Sequence, residues 1–306
     1  MEAVKLDRRS FLRLAGLAGA TAVAGPKPAQ AARQYQPPPD ALGCLVDLTV
    51  CIGCRKCERA CNEVNQLPAP ARPFDDLTVL EAKRRPDDQA FTVINRYYAG
   101  RRDARNNPQP SFVKVQCMHC QDPACASACI VGALTKEPNG AVRYDEGKCI
   151  GCRYCMVACP FQIPAYEYSD PLLPRVRKCT FCFERIVKAG GKPGCAQACP
   201  VEAITFGRRK DLLTLARRRM DDNPGRYLPH IYGEHEAGGA SWLYISSEPF
   251  TRLGFQKLPD QPMPQLTETI QHGVFAYLWA PLALFGVLGG VMALTGRKGG
   301  GKEERS

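Results

Sequence analysis

The sequence predicts an α+β protein of short strands and short helices, followed by one helix long enough to cross a membrane. Two observations lead to this prediction. Sixteen of the 17 cysteines among the 306 residues fall into four tight groups. Near the C-terminus, residues 274–295 contain no charged residue. Four cysteine groups of this density indicate a core that is partly inorganic, and such a core leaves little room for long regular elements.

The first 31 residues have the features of an export signal. Residues 7–13 read "DRRSFLR", an apolar run follows at 14–24, and "AQA" stands at 29–31. A basic segment, a short apolar run and an A-x-A cleavage site together define a secretory signal. The paired arginines resemble a twin-arginine (Tat) signal, whose route carries folded proteins. We therefore expect residues 1–31 to direct a folded, cofactor-loaded chain to the periplasm, so export does not argue for disulfides.

The segment 274–295, "VFAYLWAPLALFGVLGGVMALT", predicts one transmembrane helix. As a helix it would be about 33 Å long, enough to cross a hydrocarbon core of about 30 Å. Arg297 and Lys298 follow at once, so the positive-inside rule places the tail 296–306 in the cytoplasm. Residues 262–273 would then link this span to a folded domain on the periplasmic side of the inner membrane.

The spacing of the cysteines predicts four [4Fe-4S] clusters. In the C-x2-C-x2-C-x3-C-P pattern, three thiolates from one loop bind a cluster and the fourth reaches a neighbouring cluster. Zinc favours two separated C-x2-C pairs, disulfides fit poorly between residues three apart, and covalent haem needs C-x-x-C-H, which the sequence lacks. The four groups are Cys51, Cys54, Cys57 and Cys61; Cys117, Cys120, Cys125 and Cys129; Cys149, Cys152, Cys155 and Cys159; and Cys179, Cys182, Cys195 and Cys199.

The second and third groups resemble the bacterial ferredoxin unit, in which two cysteine loops exchange their fourth ligands. Only residues 130–148 separate them, and these predict a hairpin with an Asn139-Gly140 turn. The resemblance implies two interleaved ferredoxin-like modules, an outer one from the first and fourth groups and an inner one between them. The implied ligand sets are site A (Cys51, Cys54, Cys57, Cys199), site B (Cys61, Cys179, Cys182, Cys195), site C (Cys117, Cys120, Cys125, Cys159) and site D (Cys129, Cys149, Cys152, Cys155).

The motifs "QCMHCQDPAC", "GCRYCMVACPF", "KCTFCFERI" and "PGCAQACP" resemble those of four-cluster iron-sulfur subunits of membrane-bound oxidoreductases. Together with "HIYGEHEAGGASWLYIS" near the C-terminus, they are similar to the periplasmic iron-sulfur subunit that accompanies [NiFe] hydrogenases of the hydrogenase-2 kind. The resemblance implies as partners the small and large hydrogenase subunits, a polytopic quinone-interacting membrane subunit, and the membrane itself. The presence of Cys152 implies four irons, rather than three, at site D.

The predicted function is electron transfer through the clusters to the quinone pool, without an active site in this chain. The sequence has four histidines, no nucleotide-binding fingerprint and no nucleophile elbow. The resemblance leaves an alternative partner, a molybdenum oxidoreductase such as formate dehydrogenase, which uses the same kind of subunit. An alternative of another class is a soluble-type ferredoxin carrier tethered to the membrane.

The cluster-binding domain is predicted to span residues 32–261, with an insertion at about 62–116. The insertion contains two alternating stretches typical of strands, "FTVINRYY" and "FVKVQ". It is either a contact surface for the catalytic partner or a structural cap on the outer module. Cys44 lies outside the four groups in the strand-like stretch "GCLVDLTVC", and we expect it to be a buried free thiol.

The chain carries a net charge of +11, with basic runs such as 83–85 and 217–219. Basic runs of this kind form solvated faces or docking patches for acidic partners. Because the chain is predicted to leave the cytoplasm, we expect no nucleic acid among its partners.

Overall fold

In the computed structural model, residues 38–170, 175–264, 268 and 279–296 are described. The mixed composition of short helices and short strands predicted from the sequence is confirmed. The described strands are β1 (Leu42–Asp47), β2 (Thr92–Tyr97), β3 (Ser111–Gln116), β4 (Leu134–Lys136), β5 (Val142–Tyr144), β6 (Ala165–Tyr166), β7 (Val176–Arg177), β8 (Ile204–Arg208) and β9 (Trp242–Ile245). The described helices are α1 (Lys56–Val64), α2 (Ala124–Ser127), α3 (Tyr154–Ala158), α4 (Phe183–Ala189), α5 (Gly194–Gln197), α6 (Arg209–Asp222) and α7 (Trp279–Gly296).

A three-stranded sheet joins the two ends of the cluster-binding domain. Its strand order is β8-β1-β9, with β8 antiparallel and β9 parallel to β1. Successive side chains of a strand point to opposite faces. Accordingly, Cys44 and Val46 belong to one buried cluster with the cysteine loops, while Leu45 packs on the other face with Leu212 and Ala216 of α6. The sheet therefore separates a conventional apolar core from the region of the cysteines.

Helix α6 is the longest helix of the cluster-binding domain, and the sequence interpretation did not identify it. Its buried residues, Leu212 and Ala216, are four apart and form the apolar stripe that faces the sheet. The basic run at 217–219 lies on the rest of this helix, where Arg217 pairs with Glu234. At least one arginine of this basic run therefore forms an ion pair within the domain.

The insertion forms a hairpin that covers the first cysteine loop. Strands β2 and β3 are antiparallel, in the two stretches where the sequence predicted strands. The Phe112 ring lies against Gly53 of the loop, and the backbone N–H of Ile94 donates to the Glu58 carboxylate, 2.6 Å away. These contacts favour the interpretation of the insertion as a structural cap on the outer module.

The segment between the second and third cysteine groups is a hairpin, as predicted. Strands β4 and β5 pair antiparallel, and Gly140 in the turn has a φ of 95°. A Cβ atom at Gly140 would lie 2.7 Å from the carbonyl oxygen of Leu42, so glycine also permits the close approach of the turn to β1. Strands β6 and β7 pair antiparallel after the third group.

Some sequence predictions fall outside the described residues. These are the export signal at 1–31, most of the linker at 262–273, residues 274–278 of the proposed span and the tail from 297 onward. Helix α7 covers the remainder of the proposed span. Of the helices in the described part of the chain, none combines the length and the hydropathy needed to cross a membrane.

Candidate metal centres

The first and third cysteine groups adopt the same backbone turn. In each, a Cys-Ile-Gly-Cys-Arg sequence leads into a helix, α1 or α3. Gly53 and Gly151 have φ angles of 70° and 72°, and Arg55 and Arg153 have φ angles of 59° and 61°. Two left-handed residues in three positions turn the chain tightly, and the first three thiols of each group come together as a result.

The second and fourth groups share a different turn. His119 has a φ of 49°, and in the fourth group Phe181 and Cys182 have φ angles of 59° and 49°. The third cysteine of each group lies on a one-turn helix, Cys125 on α2 and Cys195 on α5. The chain thus builds two kinds of cysteine loop, and each proposed module uses one loop of each kind.

The structure brings the members of each predicted site close together. The four cysteines of site A line one cavity. Cys61, Cys120 and Cys155 each lie within electrostatic reach of the other three thiols of sites B, C and D, respectively. Helix α1 packs against α5, and α2 packs against α3. This packing brings the fourth thiol of one group close to the partner group. The assignment of these thiols as iron ligands stays a prediction.

The four sites form a row in the order A, B, C and D. Each neighbouring pair is joined by one close pair of cysteines: Cys57 with Cys195, Cys179 with Cys117, and Cys125 with Cys155. The last two pairs also belong to shared buried clusters of side chains. Sites B and C therefore connect the outer module to the inner one, and sites A and D are the ends.

Burial shapes the chemistry of these thiols. It raises the pKa of Cys125 and Cys179 to about 12 and that of Cys51 and Cys155 to about 11, and neighbouring thiols add to the effect. Without a metal these side chains are protonated at neutral pH. Since iron binds the thiolate, loading of the sites releases protons.

The donor set fits [4Fe-4S] clusters. Each site offers four thiols, and several receive hydrogen bonds of the kind that stabilises a bound sulfur. The backbone N–H groups of Ala133 and Phe181 donate to the sulfurs of Cys129 (3.2 Å) and Cys179 (3.4 Å). In a [4Fe-4S] cube each thiolate binds a different iron. Among the described residues, no group of three or more Cys, His, Asp or Glu side chains is arranged to hold a single metal ion.

Exposed side chains lie at both ends of the row. Cys152 of site D is exposed, while the other cysteines are buried or half-buried. Exposed apolar side chains surround its loop, among them Ile130, Ile150 and Val157. At the other end, Ile52 of the site A loop is likewise exposed. Exposed apolar side chains grouped in this way are typical of contact surfaces.

Several buried polar side chains near the sites were not identified from the sequence. Glu58 follows Cys57 and is buried with Arg55, and Lys114 is buried beside site A. Their sequence signal is weak, because a charged residue in an amphipathic pattern is ordinarily exposed. His119 is fully buried, and its Nδ1 accepts a hydrogen bond from the Val142 N–H.

We expect Gly53→Ala to destabilise the cluster-loaded chain strongly. The left-handed backbone would add about 1–3 kcal/mol of strain. The new Cβ would also lie 2.4 Å from the Phe112 ring, and such overpacking typically adds about 1–3 kcal/mol. The matched control is Gly225→Ala, where φ is 83° and no atom lies within 4 Å of the new Cβ. The thermal midpoint should fall further for Gly53→Ala, and equal shifts would contradict the predicted contact.

Comparison with known proteins agrees with this geometry. Residues 109–209 match the family model of a 4Fe-4S dicluster domain. A protein of Nitratidesulfovibrio vulgaris is 49% identical over 299 residues, which are 96% of this chain and 78% of that protein. The "Hydrogenase-2 operon protein HybA" of Escherichia coli O157:H7 is 34% identical over 95% of both chains. The "Formate dehydrogenase-O iron-sulfur subunit" of Escherichia coli K12 is 33% identical over 87% of this chain and 84% of that subunit.

The matches with these three relatives extend over 87–96% of this chain. The cysteines of the chain and the match with the dicluster domain fit four [4Fe-4S] clusters. The chain therefore belongs to the family of ferredoxin-type iron-sulfur subunits of oxidoreductases, in which it serves electron transfer.

Proposed function

We propose that this chain relays electrons between a periplasmic catalytic partner and the membrane quinone pool. The observation that carries the proposal is the continuous row of four cysteine sites from one exposed end to the other. A [4Fe-4S] cluster, when bound, accepts and returns a single electron. The chain itself has no catalytic residue in this proposal. It holds the sites in line, and its surrounding side chains set the local charge and the access of water.

The sixteen cysteines act as iron ligands in the four proposed sets. Their loops and short helices place three thiols from one group with the fourth thiol of its partner group. Cys152 completes site D, so that this site holds four irons. Cys44 takes no part, because it lies on β1 and outside the loops.

We propose a [NiFe] hydrogenase, with its small and large subunits, as the catalytic partner. The relative named for the hydrogenase-2 operon aligns over 95% of both chains, whereas the formate dehydrogenase subunits align over 80–87% of this chain. A molybdenum formate dehydrogenase is the second candidate, since those relatives have a similar degree of identity. Electrons would leave through a polytopic membrane subunit that reacts with quinone.

The location proposed for the complex is the periplasmic face of the inner membrane. Support comes from the twin-arginine signal at 1–31 and the uncharged segment 274–295 with its basic flank. Tat export delivers a folded chain, so the clusters are inserted before transport. The exposed apolar side chains at sites A and D are the proposed contacts with the electron donor and acceptor.

The test is purification of the complex through a tag on this chain, from membranes of the native organism. We expect nickel to copurify in stoichiometric amount, together with hydrogen-dependent reduction of an artificial dye. Molybdenum with formate-dependent dye reduction would replace the hydrogenase with the second candidate. Recovery of the loaded chain from the soluble periplasm, without either metal, would overturn the proposed complex. Membranes with an untagged chain are the control.

A further inference from the structure

Lys114 is a buried cation next to sites A and B. It lies on β3 with 2% of its surface exposed, and its Nζ donates hydrogen bonds to Thr92 Oγ1 (2.7 Å) and Gln116 Oε1 (3.0 Å). The same nitrogen lies 4.6 Å from the centre of the Trp242 ring. These three partners are neutral, so they hold the ammonium group in place without cancelling its charge.

Sites A and B supply the negative charge that this ammonium group requires. Lys114 lines the cavity of site A together with the four cysteines of that site. It also lies within electrostatic reach of Cys195 and Cys179 of site B. A buried charge is costly unless an opposite charge lies close to it, and the thiolates of both sites meet that condition when the sites hold iron.

Packing alone does not explain a lysine at this position. A methionine or leucine would fill the space beside the Trp242 ring without removing a charge from water. Lys178, by comparison, donates to the backbone carbonyl of Val142 and thereby joins two segments of the chain. The hydrogen bonds of Lys114 instead reach side chains of its own hairpin, one of them two residues away on the same strand.

We propose that Lys114 raises the reduction potentials of sites A and B by placing one fixed positive charge beside both. The proposal rests on the ligand sets of the proposed function. Reduction adds one negative charge to a site, so a nearby cation favours the reduced state. Because one charge lies beside two neighbouring sites, it shifts the reduction potentials of both in the same direction.

The test is a redox titration of the cluster-loaded chain, followed by electron paramagnetic resonance. Lys114→Met removes the charge, Lys114→Gln removes it but keeps a hydrogen-bonding group, and Lys114→Arg keeps it. Lys188→Met, at an exposed lysine on α4, is the matched control. Cysteine variants of sites A and B assign the signals. Iron content and the number of signals test the ligand sets themselves, so their failure is distinct from failure at Lys114.

In both neutral variants we expect the ratio of oxidised to reduced protein at sites A and B to rise about tenfold at a fixed potential, a shift of about 59 mV to more negative values. Sites C and D should shift less, and Lys114→Arg and Lys188→Met should resemble the unchanged chain. Unchanged potentials, or equal shifts at all four sites, would overturn the proposal. The neutral variants could also lose the clusters of sites A and B. In that case, retention of these clusters in Lys114→Arg supports the proposal, and their loss in Lys114→Arg overturns it.

Discussion

The Cys179→Ala variant is expected to bind about three quarters of the iron of the unchanged chain and to pass no electrons along the row. Cys179 is a buried member of site B, and it packs beside Cys117 of site C. Its loss removes the centre that connects the outer and inner modules. The remaining sites would then be separated by a gap in the middle of the path.

Two assays on the intact complex test this expectation. Substrate-dependent reduction of a dye that accepts electrons from the catalytic partner should be unchanged, while quinone reduction should be abolished. Cys44→Ala is the matched control, because Cys44 is fully buried near the thiols of site B but belongs to none of the four sites. It should keep its iron and its quinone reduction. Quinone reduction that survives in Cys179→Ala would show that electrons do not need site B.

The Glu58→Ala variant is expected to lose about 3–5 kcal/mol of stability, because it leaves the buried Arg55 and the half-buried Arg84 without their carboxylate partner. The Glu58 carboxylate accepts hydrogen bonds from Arg55 Nη2 at 2.9 Å and Arg84 Nη2 at 2.6 Å. It also accepts one from the backbone N–H of Ile94. One side chain therefore joins the first cysteine loop, the segment that contains Arg84 and strand β2.

Stability is measured as the temperature at which the cluster absorbance is lost, at one fixed scan rate because the loss is irreversible. For a domain of this size the expected fall is roughly 10 °C. The control is Glu184→Ala, which breaks the exposed Glu184–Lys188 pair on α4 and should leave the midpoint unchanged. A midpoint for Glu58→Ala that matches this control would show that the ion pairs contribute nothing to the stability of the outer module.

The cysteine loops could be anticipated from the sequence because their structure is local. The ligand spacing and glycines such as Gly53 lie within a few residues of one another. The hairpin at Gly140 and the strands of the insertion are equally local, and the structure confirms them. The turn residues and the alternation of apolar side chains were sufficient in these places.

Features that depend on distant segments were not predicted. The parallel pairing of β1 with β9 joins residues about 200 positions apart, and no pattern in either strand specifies the partner. In the stretch "SFVKVQ", alternation would assign Lys114 to a solvated face. The site A loop covers that face. Because part of the core there is inorganic, no pattern of apolar residues in the sequence indicates that the face is buried. The buried Glu58 was missed for the same reason.

The nesting of one module inside the other also has a consequence for biosynthesis. With the proposed ligand sets, every cysteine of the inner module has been synthesised once the ribosome passes Cys159. The outer module must wait for Cys199, and its sheet for β9, although β1 is made first. The first cysteine loop to leave the ribosome is therefore among the last to be completed. Until then its thiols need protection from oxidation or from the wrong metal, and the proposed export of a folded chain would let assembly finish in the reducing cytoplasm.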